Sequence, residues 1–212
     1  MKNSMAGCLL LAALAAPAAA LAVDAPRPAP RALSYRWVEA DYAFNYFGQG
    51  NLRLSSDAGF RLSTNLRLAP HFYLVGSYDY QDYPGPEFKF GSAGIGSWVS
   101  FAPALDGFLN LTWETENLDG DSANGWGAQV GLRTLVTRFG EIQLGYKYAE
   151  YDDTAFRDRD MTVHGMLTLP LARALDLTMR FEHTDKRETV KGGSGDVDVD
   201  FENLLVGFRV RF

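Results

Sequence analysis

The stretch Asn203-Leu204-Leu205-Val206-Gly207-Phe208-Arg209-Val210-Arg211-Phe212 decides the fold. Leu204, Val206, Phe208, Val210 and Phe212 fall on one face at the period-2 spacing of a strand, and Asn203, Leu205, Gly207, Arg209 and Arg211 fall on the other. One face is apolar; the other is mostly polar and carries two arginines. A membrane barrel requires this arrangement, because lipid lies outside and water or paired charge lies inside.

Working back from that stretch, the same alternation recurs in ten segments, near Tyr35–Tyr46, Asp57–Leu68, Phe72–Tyr83, Phe88–Phe101, Phe108–Glu116, Trp126–Thr134, Glu141–Tyr151, Met161–Leu169, Leu175–Asp185 and Val199–Phe212. Most approach the roughly nine to eleven residues that a tilted spanning strand needs. Short turns at Ala69–His71, Ala102–Asp106, Leu135–Gly140 and Pro170–Ala174 interleave with longer, more polar loops. An outer-membrane barrel has this asymmetry, with turns on the periplasmic side and loops outside. Both termini then lie in the periplasm and the strand number is even. The expected fold is all-β, a closed antiparallel up-and-down transmembrane barrel of about ten strands, or eight if one segment is misread.

The front of the chain reads as export. Lys2, an apolar stretch from Leu9, and Ala20-Leu21-Ala22 make a signal peptide over 1–22. Residues 23–33 form a Pro-rich periplasmic lead-in, and 34–212 form the barrel domain. Cys8 is the sole cysteine and leaves with the signal, so neither a disulfide nor thiol chemistry is expected. The net charge of −6 becomes −7 when Lys2 is lost, which argues against a nucleic-acid partner. After the signal no apolar run is long enough for a spanning helix, so insertion must be through strands.

A soluble sandwich is the competing fold, its core made from the same apolar face. Two features oppose it. Tyr and Trp gather toward the loop ends as an interfacial girdle would: Tyr42, Tyr46, Tyr78, Tyr80, Tyr83, Trp113, Trp126, Tyr146 and Tyr148. The polar face is also rich in small residues such as Gly94, Gly96, Gly127, Gly131 and Gly145, which suits a crowded lumen.

Gly207-Phe208-Arg209-Val210-Arg211-Phe212 looks like the C-terminal assembly signal of outer-membrane barrels, with Gly207, Phe208, Val210 and Phe212 as its elements and Val210 where an aromatic is usual. With the openings Ser34 to Tyr42 and Phe72 to Tyr78, the span from Tyr35 to Phe212 resembles the small single-domain OmpX/OmpA-like barrels of Gram-negative bacteria, a family with no established enzymatic activity. The resemblance implies an outer-membrane location and assembly by periplasmic chaperones and the barrel-insertion machinery.

Chemistry is sparse. His183-Thr184-Asp185 has no serine nucleophile beside it, and Asp152-Asp153 with His183 lacks the long extensions a proteolytic barrel carries. No catalytic site, metal site or cofactor is expected. Asp196, Asp198 and Asp200 share a strand face, but the Gly192–Gly195 run before them reads as a flexible loop. Arg157, Arg159, Lys186, Arg187 and Lys191 are expected in outer loops, within reach of lipopolysaccharide phosphates.

The inward positions include Glu39, Asp41, Arg61, Arg67, Asp79, Lys89, Glu114, Glu116, Arg133, Glu141, Lys147, Asp176, Arg180, Glu182, Arg209 and Arg211. Unpaired charge in a barrel interior costs several kcal/mol per ion, so these groups must pair or stay wet. Glu39, Asp41, Arg61, Arg67, Glu114, Arg180 and Glu182 are the expected core of that network. The expected role is structural or surface-interacting, in a monomer touching outer-membrane lipid and lipopolysaccharide. The alternative is a narrow channel for ions or small solutes, and a lipid A-modifying or proteolytic barrel is a distant third.

Overall fold

The computed structural model describes residues 33–49, 52–56, 58–84, 87–118, 121–137, 140–152, 156–190 and 196–212. The signal segment 1–22 and the lead-in as far as residue 32 lie outside the described residues. Eleven strands form in chain order: β1 (Arg36–Gln49), β2 (Leu52–Ser55), β3 (Ala58–Ala69), β4 (Phe72–Asp82), β5 (Glu87–Ala102), β6 (Leu105–Leu118), β7 (Asp121–Thr137), β8 (Gly140–Asp152), β9 (Phe156–Pro170), β10 (Leu175–Val190) and β11 (Asp196–Arg211). From β3 to β11 each strand pairs antiparallel with the next, and β1 pairs antiparallel with both β2 and β3. β11 returns to pair with β1 from Trp37 opposite Arg211 to Gly48 opposite Asp200, so the sheet closes on itself. Closure removes the exposed edges that an open sheet would leave in lipid.

The eleventh strand does not add a stave. Tyr46 on β1 opposes Ser55 on β2, while Tyr42 opposes Phe60 on β3, so five steps on one side span four on the other. β2 and β3 are one stave interrupted by a β-bulge, as the extra residue requires. The Ser56 amide donates to the Asn45 carbonyl at 2.8 Å beside the break. The barrel therefore has ten staves, and eight is excluded.

The strands run farther than the apolar alternation suggests, chiefly at the loop end. β7 starts at Asp121 rather than near Trp126, β9 at Phe156 rather than near Met161, and β10 ends at Val190 rather than Asp185. Polar cross-strand pairs carry these extensions: Arg187 Nε donates to Asp198 at 3.2 Å and Thr189 to Asp196 at 3.0 Å. Such pairs need no lipid and no apolar face, so hydropathy does not mark them.

The tilt follows from the register. Starting at Asp41 and moving through Arg61, Asp79, Phe90 and Glu116, the ladder reaches β7 at Ala123. Moving the other way, through Gly207, Thr178, Thr168 and Glu141, it reaches β7 at Leu135, twelve residues farther along. Twelve residues of about 3.3 Å against ten strands about 4.8 Å apart is a tilt of about 40°.

Faces alternate along the staves. On β1, Val38, Tyr42, Phe44 and Tyr46 are exposed, while Trp37, Glu39, Asp41 and Asn45 are buried. The buried set is dominated by charged and amide side chains, while the outward positions along the middle of the staves are apolar, among them Leu66, Leu74, Ile95, Leu111, Val130, Leu144 and Val163; the exposed polar residues gather toward the strand ends. A water-soluble protein shows the opposite, because its apolar side chains are removed from water.

Candidate functional site

Among the described residues, polar side chains converge in the lumen, and strand parity decides which ones enter. From β1 come Glu39 and Asp41, from β3 Arg61, from β4 Asp79, from β7 Arg133, from β8 Glu141, from β10 Arg180 and Glu182, and from β11 Arg209. The tilt then brings together residues that the chain keeps far apart.

The result is a continuous chain of ion pairs. Arg133 meets Glu141 at 2.8 Å, and Arg209 lies 3.6 Å from Glu141 and 2.7 Å from Glu39. Arg180 reaches the other Glu39 oxygen at 2.8 Å and lies 3.5 Å from Glu182. Arg61 then bonds Glu182 at 2.6 Å and closes the chain on Asp79. Arg209 also lies 4.1 Å over the Trp37 ring, and Arg133 lies 4.4 Å over Tyr35. Cation–π contact of this kind strengthens where water is excluded.

Of the seven residues expected in this network, Glu39, Arg61, Arg180 and Glu182 sit in the chain. Asp41 stands beside it and accepts from the Thr178 hydroxyl at 2.9 Å. Glu114 forms a separate pair with Lys147 at 2.9 Å. Arg67 does not join: it is exposed at the turn end, donates to the Ala69 carbonyl at 3.2 Å, and lies 5.4 Å over Trp98. Its inward parity is right, but it projects at the mouth, beyond the carboxylates.

Two other assignments are corrected. Lys89 lies outside, where it pairs with Glu87 at 2.9 Å, because Phe88 and Phe90 take the inward positions of β5. Lys186 is not a loop cation. It is buried inside the outer end of β10, bonded to Glu116 and 3.0 Å from Asp158. Arg157 and Arg159 lie on β9 and Arg187 on β10, all exposed, and Lys191 lies outside the described residues. Glu150 is 3.5 Å from Arg157.

Opposite the ion pairs runs a neutral chain. Tyr73 donates to Asn110 at 2.5 Å, Asn110 donates to Gln129 at 2.7 Å, and Gln129 and Gln143 both contact His164 Nε2, at 3.3 and 3.2 Å. Gly145 makes room for this histidine, since a Cβ there would run into its ring. Between the two chains lies a cavity of about 180 Å³.

Aromatic groups gather at both ends. At the turn end Tyr35 stacks on Trp98 at 4.2 Å and on Tyr73 at 5.0 Å. At the loop end Tyr83, Phe88, Val199 and Phe201 are buried together, with Phe47, Leu54, Phe90 and Val197 against them. Tyr83 is therefore an internal cap and not a girdle residue. Tyr42, Tyr46, Tyr78, Tyr80, Trp113, Trp126, Tyr146 and Tyr148 are on outward positions, with Trp113 opposite Trp126. Phe208, Val210 and Phe212 are also exposed on the outward side, and Gly207 packs against Ala40 and Asp41 of β1.

The described residues hold no group of three or more His, Cys, Asp or Glu placed to bind a metal ion. His183 is half-exposed on the outward face, 3.3 Å from Asp185 and 4.0 Å from Glu202.

A closed cylinder of ten staves, apolar outside and ionic within, is a transmembrane β-barrel of the outer-membrane type. No family model and no curated protein matches the chain. Solved structures do. An outer membrane channel from Pseudomonas putida F1 is 11% identical, with 89% of this chain and 100% of that one covered and a TM-score of 0.51. Neisserial surface protein A is 15% identical over 84% and 98%, with a TM-score of 0.44. The KdgM porin is 14% identical over 81% and 99%, with a TM-score of 0.40. At such identities the likeness concerns the fold, that of small outer-membrane barrels.

Proposed function

We propose that the protein is a sealed outer-membrane barrel with a structural or surface-interacting role. One observation carries this reading: ion pairs cross the lumen from β7 to β4, with stacked aromatics at the turn end and a buried apolar cluster at the loop end. An ion entering this path must displace paired guanidiniums and carboxylates from a narrow interior, which costs several kcal/mol. The protein reaches its site by export behind a cleaved signal, periplasmic chaperones and the barrel-insertion machinery. It acts as a monomer, without cofactor or catalysis, against outer-membrane lipid and lipopolysaccharide.

The 180 Å³ cavity favours a second reading, a narrow channel gated by rearranged ion pairs. The channel from Pseudomonas putida F1 has the same fold, and fold alone does not choose between the two. Planar-bilayer recordings of the refolded protein decide. Silence is expected, and steady openings whose ion selectivity changes in Arg180→Glu establish the channel instead. Mass spectrometry of lipid A from cells with and without the protein should give identical spectra; a changed acyl chain or phosphate would make it an enzyme.

A further inference from the structure

The outward face of β4 to β7 carries a feature that the sealed lumen does not use. Trp113 and Trp126 face each other across β6 and β7, and Trp113 is 60% exposed. Side chains of this kind settle where hydrocarbon meets headgroups. One step toward the loops, the next outward row reads Tyr78, Gly91, Thr115, Asn124. The row beyond it reads Tyr80, Lys89, Asn117, Ser122. Hydroxyls and amides thus occupy β6 and β7 directly outside the tryptophans.

Tyr78, Lys89, Gly91, Thr115, Asn117, Ser122 and Asn124 line a shallow depression in the barrel wall, next to Trp113 along β6. Gly91 sets its depth, since a Cβ there would stand 2.6 Å from the Thr115 hydroxyl oxygen. Charge tells what fits. Lys89 is already bonded to Glu87 at 2.9 Å; Asp82 lies opposite Glu87, and Asp152 lies opposite Asn124. Arg157, opposite Asp152, is held 3.5 Å from Glu150, so a bare phosphate would meet two cations already engaged by carboxylates, with Asp82 and Asp152 beside them. Sugar hydroxyls donate to carboxylates and exchange hydrogen bonds with amides and hydroxyls, and all three acceptor types are present. The exposed Trp113 ring offers a flat apolar surface to the C–H face of a sugar. Because the polar rows lie directly outside the two tryptophans, at the level where headgroups meet hydrocarbon, the occupant is a headgroup anchored in the same leaflet.

We propose that this flank binds the saccharide headgroup of an outer-leaflet glycolipid, through the sugar's hydroxyls and not through phosphate. The inference rests on the reading of the chain as an outer-membrane barrel with its loops outside. It is independent of whether the lumen conducts, so bilayer recordings and binding measurements fail separately.

The test is native mass spectrometry of the full folded chain in detergent. The probes are lipid A, lipid A stripped of phosphate, phosphatidylglycerol of matched chain length, and the free glucosamine disaccharide. The two lipid A forms should bind within about twofold of each other, with phosphatidylglycerol and the free disaccharide about tenfold weaker. Gly91→Leu and Asn124→Leu should each weaken both lipid A forms about tenfold, while Arg157→Ala leaves them unchanged. Heat-dependent gel mobility shows that every variant is a folded barrel, and both substituted sites lie outside the packed lumen. Loss of binding on phosphate removal overturns the proposal in favour of an anion site. Equal binding of phosphatidylglycerol reduces it to tail adsorption, equal binding of the free disaccharide makes it a soluble-sugar site, and unchanged binding by both leucine variants removes the site.

Discussion

Glu39 is held by two guanidiniums at once, one oxygen to Arg180 at 2.8 Å and the other to Arg209 at 2.7 Å, with almost no solvent contact. Removing its charge leaves two buried cations with one fewer carboxylate. Breaking a buried pair in this way costs about 3–5 kcal/mol, whereas an exposed side chain costs about 1 kcal/mol or less. Glu39→Gln should therefore lower stability by an amount in the first range, and Arg67→Ala by one in the second, both read from urea unfolding in lipid vesicles. Equal effects of the two would mean that the network is not what holds the lumen. Parity alone placed Glu39, Arg61, Arg180 and Glu182 inside, and it placed Arg209 and Glu141 there too. It could not say which of them touch, because contact across the lumen depends on the twelve-residue stagger, a property of all ten staves together. Arg209 was read as inward but not as a member of the network, because nothing in its local pattern marks Glu39 and Glu141 as its partners.

At the scale of strands, the seam between β11 and β1 tolerates little. A Cβ on Gly207 would strike the Ala40 carbonyl and Asp41 of the neighbouring strand. Gly207→Val should cost about 1–3 kcal/mol as overpacking and should slow appearance of the heat-modifiable folded band on gels. Wild-type refolding kinetics in that variant would show that the seam has room to spare. On β10, Lys186 lies between Glu116 and Asp158, inside the barrel yet past the apolar stretch. Hydropathy ends near Asp185, so a strand continuing in water looks like a loop, and its lysine looks like a surface charge. The bulge at Ser56 was illegible for a related reason. It shifts the register by one, which leaves each half of the stave with a normal alternation and only the joint out of phase.

For the whole molecule, the inverted distribution of polarity is the decisive fact. Leu111 is 57% exposed at the middle of β6, where a soluble protein would be punished for it. Leu111→Arg should destabilise the barrel in bilayers by about 2–4 kcal/mol, the cost of a cation at the hydrocarbon midplane. If the loss is as small as that for a rim position such as Ser122→Arg, the apolar band does not lie in lipid. This inversion was readable throughout the sequence, because alternation survives any misplacement of strand ends. The contents of the lumen were readable only as a list. The bond from Arg209 to Glu39 has a consequence for biogenesis. β11, last of the staves in chain order, brings the cation that β1 and Glu141 share, so the two margins of the sheet recognise each other by charge as well as by backbone. A chain shortened before residue 200 would lose its latch along with its last stave, and its open rim would present Glu39 to a partner that never arrives.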